Sequence, residues 1–402
     1  MESDFYLNDT SIGPVALARV AAQQSFSVNE KLFVPIFSPR VAAQQSFSVN
    51  GKRMLGWNVP PEDRFRIPEH WFQYEEIDPM YNYVLGCLYI VFTIFSICGN
   101  GMVIWVFIAA KSLRTPSNIF VLNLALMDFM MMVKTPIFIY NSFNQGYALG
   151  HQGCQIFGLM GSISGIGQSA TNVAIAYDRY RVIAKPMDGR MSYSKALMIL
   201  ILIYCYVIPW AMFPYLEKWS RFVPEGYLTS CTFDYLTPTE SIRFYVLFMF
   251  IICYCIPMGM IINFYSQIVG HVFSHEKALR EQAKKMNVES LRSGQKEGQS
   301  SAEVRIAKTA ITLCALFVAS WTPYAVVALT GAFGDQSLLT PGLTMIPACT
   351  CKAVACLDPY VYAISHPRYR LELSKRIPCL GIKEKEPEKE TASAQTEATT
   401  PH

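Results

Sequence analysis

Ile346–Ile364 reads IPACTCKAVACLDPYVYAI, an apolar run interrupted by one lysine, Lys352. A second run, Met130–Tyr140 (MMMVKTPIFIY), carries Lys134 in the same way. Both are parts of stretches long enough to cross a membrane, which takes about 20 mostly apolar residues in a helix. A charge inside such a helix costs about 2.5 to 3.5 kcal/mol on insertion scales, so each lysine asks for a function.

The rest of the chain has the same character. Of its 402 residues, 52% are hydrophobic and 16% charged, against about 25% charged in soluble domains. Apolar spans are expected near 82–108, 118–142, 153–182, 195–216, 242–268, 306–332 and 341–364. The reading is an all-α membrane protein, a bundle of seven transmembrane helices with a short amphipathic helix on the cytoplasmic surface. Its parts are an extracellular segment 1–80, the bundle 81–365, the amphipathic helix 366–380 and a disordered tail 381–402.

Lys and Arg gather at Lys111–Arg114, Arg179–Lys195 and His271–Lys308, while NQGYALGHQG and GAFGDQS carry neither. The basic loops therefore face the cytoplasm and the N-terminus lies outside. Cys154 and Cys231 then share the oxidising side, where a disulfide between them is expected. Asn8, in NDT, becomes an accessible glycosylation acceptor. The segment RVAAQQSFSVN occurs twice, at Arg19–Asn29 and Arg40–Asn50, too few copies for a repeat architecture.

A net charge of +4, with no phosphate-binding glycine loop and no zinc-spaced cluster, argues against nucleic acid and metal. No constellation for hydrolysis or group transfer is visible, so no catalytic residues are assigned. Proline stands inside spans at Pro136, Pro209, Pro257, Pro323 and Pro359, freeing carbonyls that neighbours must satisfy. Asn100, Asn123 and Asp128 are expected to form a polar cluster with Asp358. Arg179 has two prospective partners, Asp178 and Glu303, and exchange between them would make a switch. SHPRYRLELSKRIPCL suits an amphipathic helix on membrane lipid, with Cys379 as a palmitoylation site.

Several short motifs then fall in order, one to each span or end: Gly99–Asn100, LNLALMD ending at Asp128, Cys154, Asp178–Arg179–Tyr180, SWTP at Ser320–Pro323 and DPYVY at Asp358–Tyr362. Together they resemble the rhodopsin-like class of G-protein-coupled receptors. Asp358 stands where that class usually has Asn. Lys352 lies about 10 Å along the helix from Pro359, at 1.5 Å per residue, where the resemblance implies the retinal attachment lysine of opsins. A desolvated primary amine there condenses with an aldehyde to a Schiff base.

HEKALREQAKKMN, RFVPEGYLTSCTFDYL and LTPGLTMIPAC are similar to arthropod visual opsins. That resemblance implies 11-cis retinal or 3-hydroxyretinal, a Gq-type heterotrimeric G protein, arrestin and a receptor kinase. It also implies residence in photoreceptor microvilli. The kinase acceptors would be Ser293, Ser300, Ser301, Thr391, Ser393, Thr396, Thr399 and Thr400. MMMVKTPIFIYNSF is similar to the second span of insect ultraviolet-sensitive opsins, which implies that Lys134 sets the wavelength. An ammonium near the imine nitrogen disfavours its protonation and moves absorption from the visible into the ultraviolet.

Phe157 occupies the place of the vertebrate glutamate counterion, and Glu225 matches the position proposed for invertebrate opsins, distant from the nitrogen. Trp321, Tyr324 and Tyr227 are expected to line the retinal pocket. The rivals are a retinal photoisomerase, a visible-light opsin, a receptor for a diffusible amine or peptide, and a light-driven ion pump. The rival for Lys134 is a bond to a backbone carbonyl with no effect on colour.

Overall fold

The structure is a computed structural model of the whole chain, and it describes residues 48–49, 51–285 and 297–382. Asn8, the first copy of the repeated segment, Ser293 and the tail acceptors lie outside these residues. Seven long helices follow one another, as the hydropathy pattern predicts. The first span is Pro79–Ala109. The second is Pro116–Val133 continued by Thr135–Phe143. The third is Gly150–Ala184 and the fourth Tyr193–Tyr215. Glu240–Phe248, a π-helical stretch Met249–Cys255 and Ile256–Lys285 make the fifth. The sixth is Glu297–Phe333 and the seventh Pro341–Ser365. Pro367–Arg376 follows as the short amphipathic helix.

Among the described residues, five of the seven are apolar enough by length and composition to cross a membrane unaided. The third is an exception with a reason. Its Ser164, Gln168, Ser169, Thr171 and Asn172 are buried against other helices, so its polar groups meet protein and not lipid. The first span starts at Pro79, three residues before the expected boundary, because Asp78 accepts the Met80 N–H at 2.9 Å and Pro79 needs no such bond.

The expectation that prolines free carbonyls for their neighbours holds at several kinks. Pro136 cannot bond the Met132 carbonyl, which accepts the Thr135 hydroxyl at 2.6 Å instead. Pro214, which the sequence reading did not name, behaves alike: the Trp210 carbonyl opposite it accepts from Tyr245 at 2.9 Å. Opposite Pro257, the Cys253 carbonyl accepts from Ser169 at 3.0 Å. Opposite Pro359, the Ala355 carbonyl accepts from Ser96 at 3.0 Å and Asn100 at 2.9 Å. Each kink is thereby tied to a neighbouring side chain, and four of these donors lie outside the kinked stretch.

The end of the bundle that carries Cys154 is closed by chain from two places. Strand β1 (Ser48–Val49) pairs antiparallel with β2 (Lys52–Arg53). Beyond them Trp71 is fully buried and donates its indole N–H to the Pro224 carbonyl at 3.1 Å. Strands β3 (Phe222–Glu225) and β4 (Ser230–Phe233) form a buried antiparallel hairpin. The Cys154–Cys231 disulfide ties β4 to the third span, as expected from the sequence.

Candidate functional site

The break in the second span positions Lys134. With Pro136 unable to continue the helix, Lys134 stands alone between its two parts. Its side chain is only 4% exposed. The ammonium donates to the Phe157 carbonyl at 3.2 Å and sits 4.1 Å from the centre of the Phe157 ring, within cation–π range. Gly161 makes room for it, since a methyl group there would collide with Nζ.

Lys352 approaches the same ring from the seventh span. It is also 4% exposed, and its Nζ lies 5.8 Å from the Phe157 centroid. The two nitrogens thus share one aromatic neighbour. Among the described residues no hydrogen bond or ion pair engages Lys352 Nζ, whereas Lys134 Nζ has the Phe157 carbonyl. The carbonyl bond expected of an idle Lys134 is present, and so is an aromatic neighbour shared with Lys352.

Glu225 ends β3 beneath the disulfide and is 2% exposed. Its carboxylate accepts from Tyr324 at 3.1 and 3.2 Å, from Tyr235 at 3.3 Å and from Ser230 at 3.2 Å. Burial raises its pKa, opposed by the charge of Lys352 and by these three hydroxyls. Among the described residues no ion pair joins it to either lysine within 4 Å. The carboxylate is near enough to act on Lys352 through space, yet its close contacts are all hydroxyls.

Trp321 and Tyr324 line an apolar cavity between the third, fifth and sixth spans, together with Gly165, Phe233, Phe250 and Phe317. Tyr227 is not part of that wall. It lies half-buried with its hydroxyl beside Gly342, at the beginning of the seventh span, because the hairpin turn after Gly226 carries it away from the sixth span. A buried amine without a hydrogen-bond partner, a carboxylate nearby and an apolar cavity beyond fit a long apolar aldehyde. Gly161, Ser230 and Tyr235 were not singled out from the sequence. Only the small residues at 158, 161 and 165 of GLMGSISGIG, on one face of the third span, hinted at the close approach.

Toward the other end, Asp128 accepts from Gln168 at 2.6 Å and faces Asp358, and both carboxyls are buried. Asn100 bonds Ser96 and the Ala355 carbonyl. Asn123 does not join this cluster: it donates to Thr171 at 2.8 Å and accepts from Tyr204 at 2.7 Å. The cause is helix geometry. Asn123 lies five residues before Asp128, well over one 3.6-residue turn, and so faces the third and fourth spans.

Arg179 pairs with Asp178 at 3.0 Å, and Asp178 also accepts from Ser117 at 2.9 Å. Tyr180 stacks on Phe264 at 5.5 Å. The side chains of Glu303 and Tyr362 lie outside those described, as do the side chains of Ser300 and Ser301. Cys379 is exposed just beyond the amphipathic helix.

Residues 99–362 match the family described as 7 transmembrane receptor (rhodopsin family). The chain is 63% identical over 345 residues to the ultraviolet-sensitive opsin of Apis mellifera, covering 86% of this chain and 93% of that one. It is 65% identical over 347 residues to opsin Rh3 of Drosophila melanogaster, covering 86% and 90%. The crystal structure of squid rhodopsin superposes with a TM-score of 0.73 at 32% identity, over 85% of this chain and 95% of the other.

Proposed function

Because the chain belongs to the rhodopsin family of seven-transmembrane receptors, and within it to the insect opsins, we propose that it is an ultraviolet visual receptor. As a member of that family it is a multi-pass membrane protein that works through a G protein, and it is not an enzyme. In this reading 11-cis retinal or 3-hydroxyretinal is held through a Schiff base at Lys352 and supplies light absorption and a change of shape. The single observation that carries the reading is the placement of Lys134 and Lys352 about one ring, Phe157.

In this reading Lys134, held by the Phe157 carbonyl and ring, is the positive neighbour of Lys352. Its ammonium has a carbonyl and an aromatic face, both of which favour a cation. A second positive charge on the nitrogen of Lys352 is then disfavoured by repulsion in a cavity that burial keeps at low dielectric. Glu225 offsets this only partly, because its oxygens are engaged by Tyr324, Tyr235 and Ser230. An unprotonated nitrogen at Lys352 gives absorption in the ultraviolet.

Trp321 and Tyr324 line the cavity within two residues of Pro323, so pressure on them would bend the sixth span. The Asp178–Arg179 pair would then release to admit a Gq-type G protein. Receptor kinase and arrestin would end the signal through the Ser and Thr acceptors. Glycosylation at Asn8, an N-terminus outside, palmitoylation at Cys379 and residence in photoreceptor microvilli complete the reading.

The test is a dark absorption spectrum of the purified protein regenerated with 11-cis retinal. A peak in the near ultraviolet is expected. A visible peak would overturn the role of Lys134, and no retinal-dependent peak would overturn the opsin reading.

A further inference from the structure

Past Pro257 the fifth span runs beside the sixth without closing on it. Met258, Ile261, Ile262 and Val269 from the fifth, with Ile311 and Val318 from the sixth, border a groove of about 400 Å³. That falls within the roughly 300 to 1,000 Å³ of small-ligand sites. Its floor is made by Ile261 and Cys314, which are buried, and its rims by Ile262, Val269 and Ile311, which are exposed. The Cys314 thiol donates to the Tyr265 hydroxyl at 3.7 Å, so the two polar groups nearest the floor answer each other. We propose that this groove binds an anionic phospholipid by one of its acyl chains.

The position of the groove identifies the occupant. From Met258 to Val269 the helix rises about 16 Å, close to half of the roughly 30 Å of hydrocarbon in a bilayer. Both walls belong to helices apolar enough to cross a membrane. The groove therefore opens to the hydrocarbon of one leaflet, the one away from the Cys154–Cys231 disulfide. Lipid chains are the solvent there, and Ala315, small and exposed on the wall of the sixth span, leaves the room for one.

Charge selects the head. Beyond Val269 the fifth span carries Lys277, Arg280, Lys284 and Lys285 against Glu276 and Glu281. Arg305 and Lys308, with Glu303, precede Ile311 in the sixth. Basic residues at a membrane surface draw anionic headgroups, about fivefold in affinity for each. Ser266 adds a hydroxyl to the groove near the same end. Hydrocarbon along the groove and an excess of positive charge past its end match an anionic phospholipid better than a zwitterionic one. The inference needs the membrane bundle alone and is independent of the chromophore.

The experiment exchanges purified full-length protein into micelles containing phosphatidylserine and phosphatidylcholine of identical chains, and counts retained lipids by native mass spectrometry. One phosphatidylserine is expected to stay bound, favoured over phosphatidylcholine by about fivefold or more. Ala315→Trp should fill the groove and abolish that retention. Val269→Trp, on the opposite and exposed wall, should do the same, so a folding defect in one variant does not decide the result. Ile94→Trp, on the exposed face of the first span, should retain the lipid. Equal retention of the two lipids would overturn the proposal. So would retention that survives both groove variants, or that is lost equally in Ile94→Trp.

Discussion

Lys134 and Lys352 are buried to the same 4% exposure, yet their surroundings differ in kind. Lys134 sits at a break in its helix, with a carbonyl at 3.2 Å and an aromatic face at 4.1 Å, so a cation there is held from two sides. Lys352 lies within a continuous helix, 5.8 Å from the same ring and without a hydrogen-bond partner among the described residues. Both side chains are buried; what separates them is the set of partners that each one meets. One amine is engaged by the protein and the other is left without a hydrogen-bond partner among the described residues.

The sharpest way to break this contrast is to remove the reactive member. Lys352→Ala should abolish the retinal-dependent absorption band, with Lys134 unable to take its place because its nitrogen is already committed. A retained band of full height would show that the two amines are interchangeable. The next largest effect removes the held cation. Lys134→Glu should move the band from the near ultraviolet into the visible, since a carboxylate near Lys352 stabilises a positive nitrogen. A band that stays in place would mean that the carbonyl bond of Lys134 has no bearing on colour.

A subtler variant leaves both lysines in the chain. Gly161→Ala would push the Lys134 ammonium off the Phe157 carbonyl, losing about 1.5 to 3 kcal/mol of a charge-assisted bond. A lower melting temperature with a partial shift of the band is expected, and unchanged spectra and melting would show that the contact is dispensable. Glu225→Gln should have the smallest effect, because Glu225 forms no close pair with either lysine.

Its consequence is clearest in the pH dependence of stability. Burial raises the Glu225 pKa above 4.5, so the folded protein holds that proton more tightly than the unfolded chain. Stability contributed by the protonated form is present below pH 4.5 and is lost as pH rises through the folded value. Glu225→Gln should remove that slope, which thermal melts across pH would detect. An unaltered slope would place its origin elsewhere.

Much of this was legible in the chain. The seven spans follow from apolar length, and even the third, expected over 153–182, is found as Gly150–Ala184 despite its polar residues. The disulfide followed from orientation, because only Cys154 and Cys231 were expected together on the oxidising side. The proline positions foretold carbonyls in need of donors. Neither Asn123 nor Tyr227 ended where expected, since one depends on helical phase and the other on the turn of a hairpin.

The boundary between the two sources of knowledge is physical. Hydropathy, charge bias and intramembrane lysines are properties of single residues and their immediate neighbours, so the sequence by itself determined the membrane bundle, its two key amines and the chemistry they invite. Which groups meet across helices depends on kinks, rotations and the room left by small residues such as Gly161. Only the tertiary structure decided that Lys134 and Lys352 face one ring and that Glu225 is engaged by hydroxyls. Those are distances between residues far apart in the chain, set by packing.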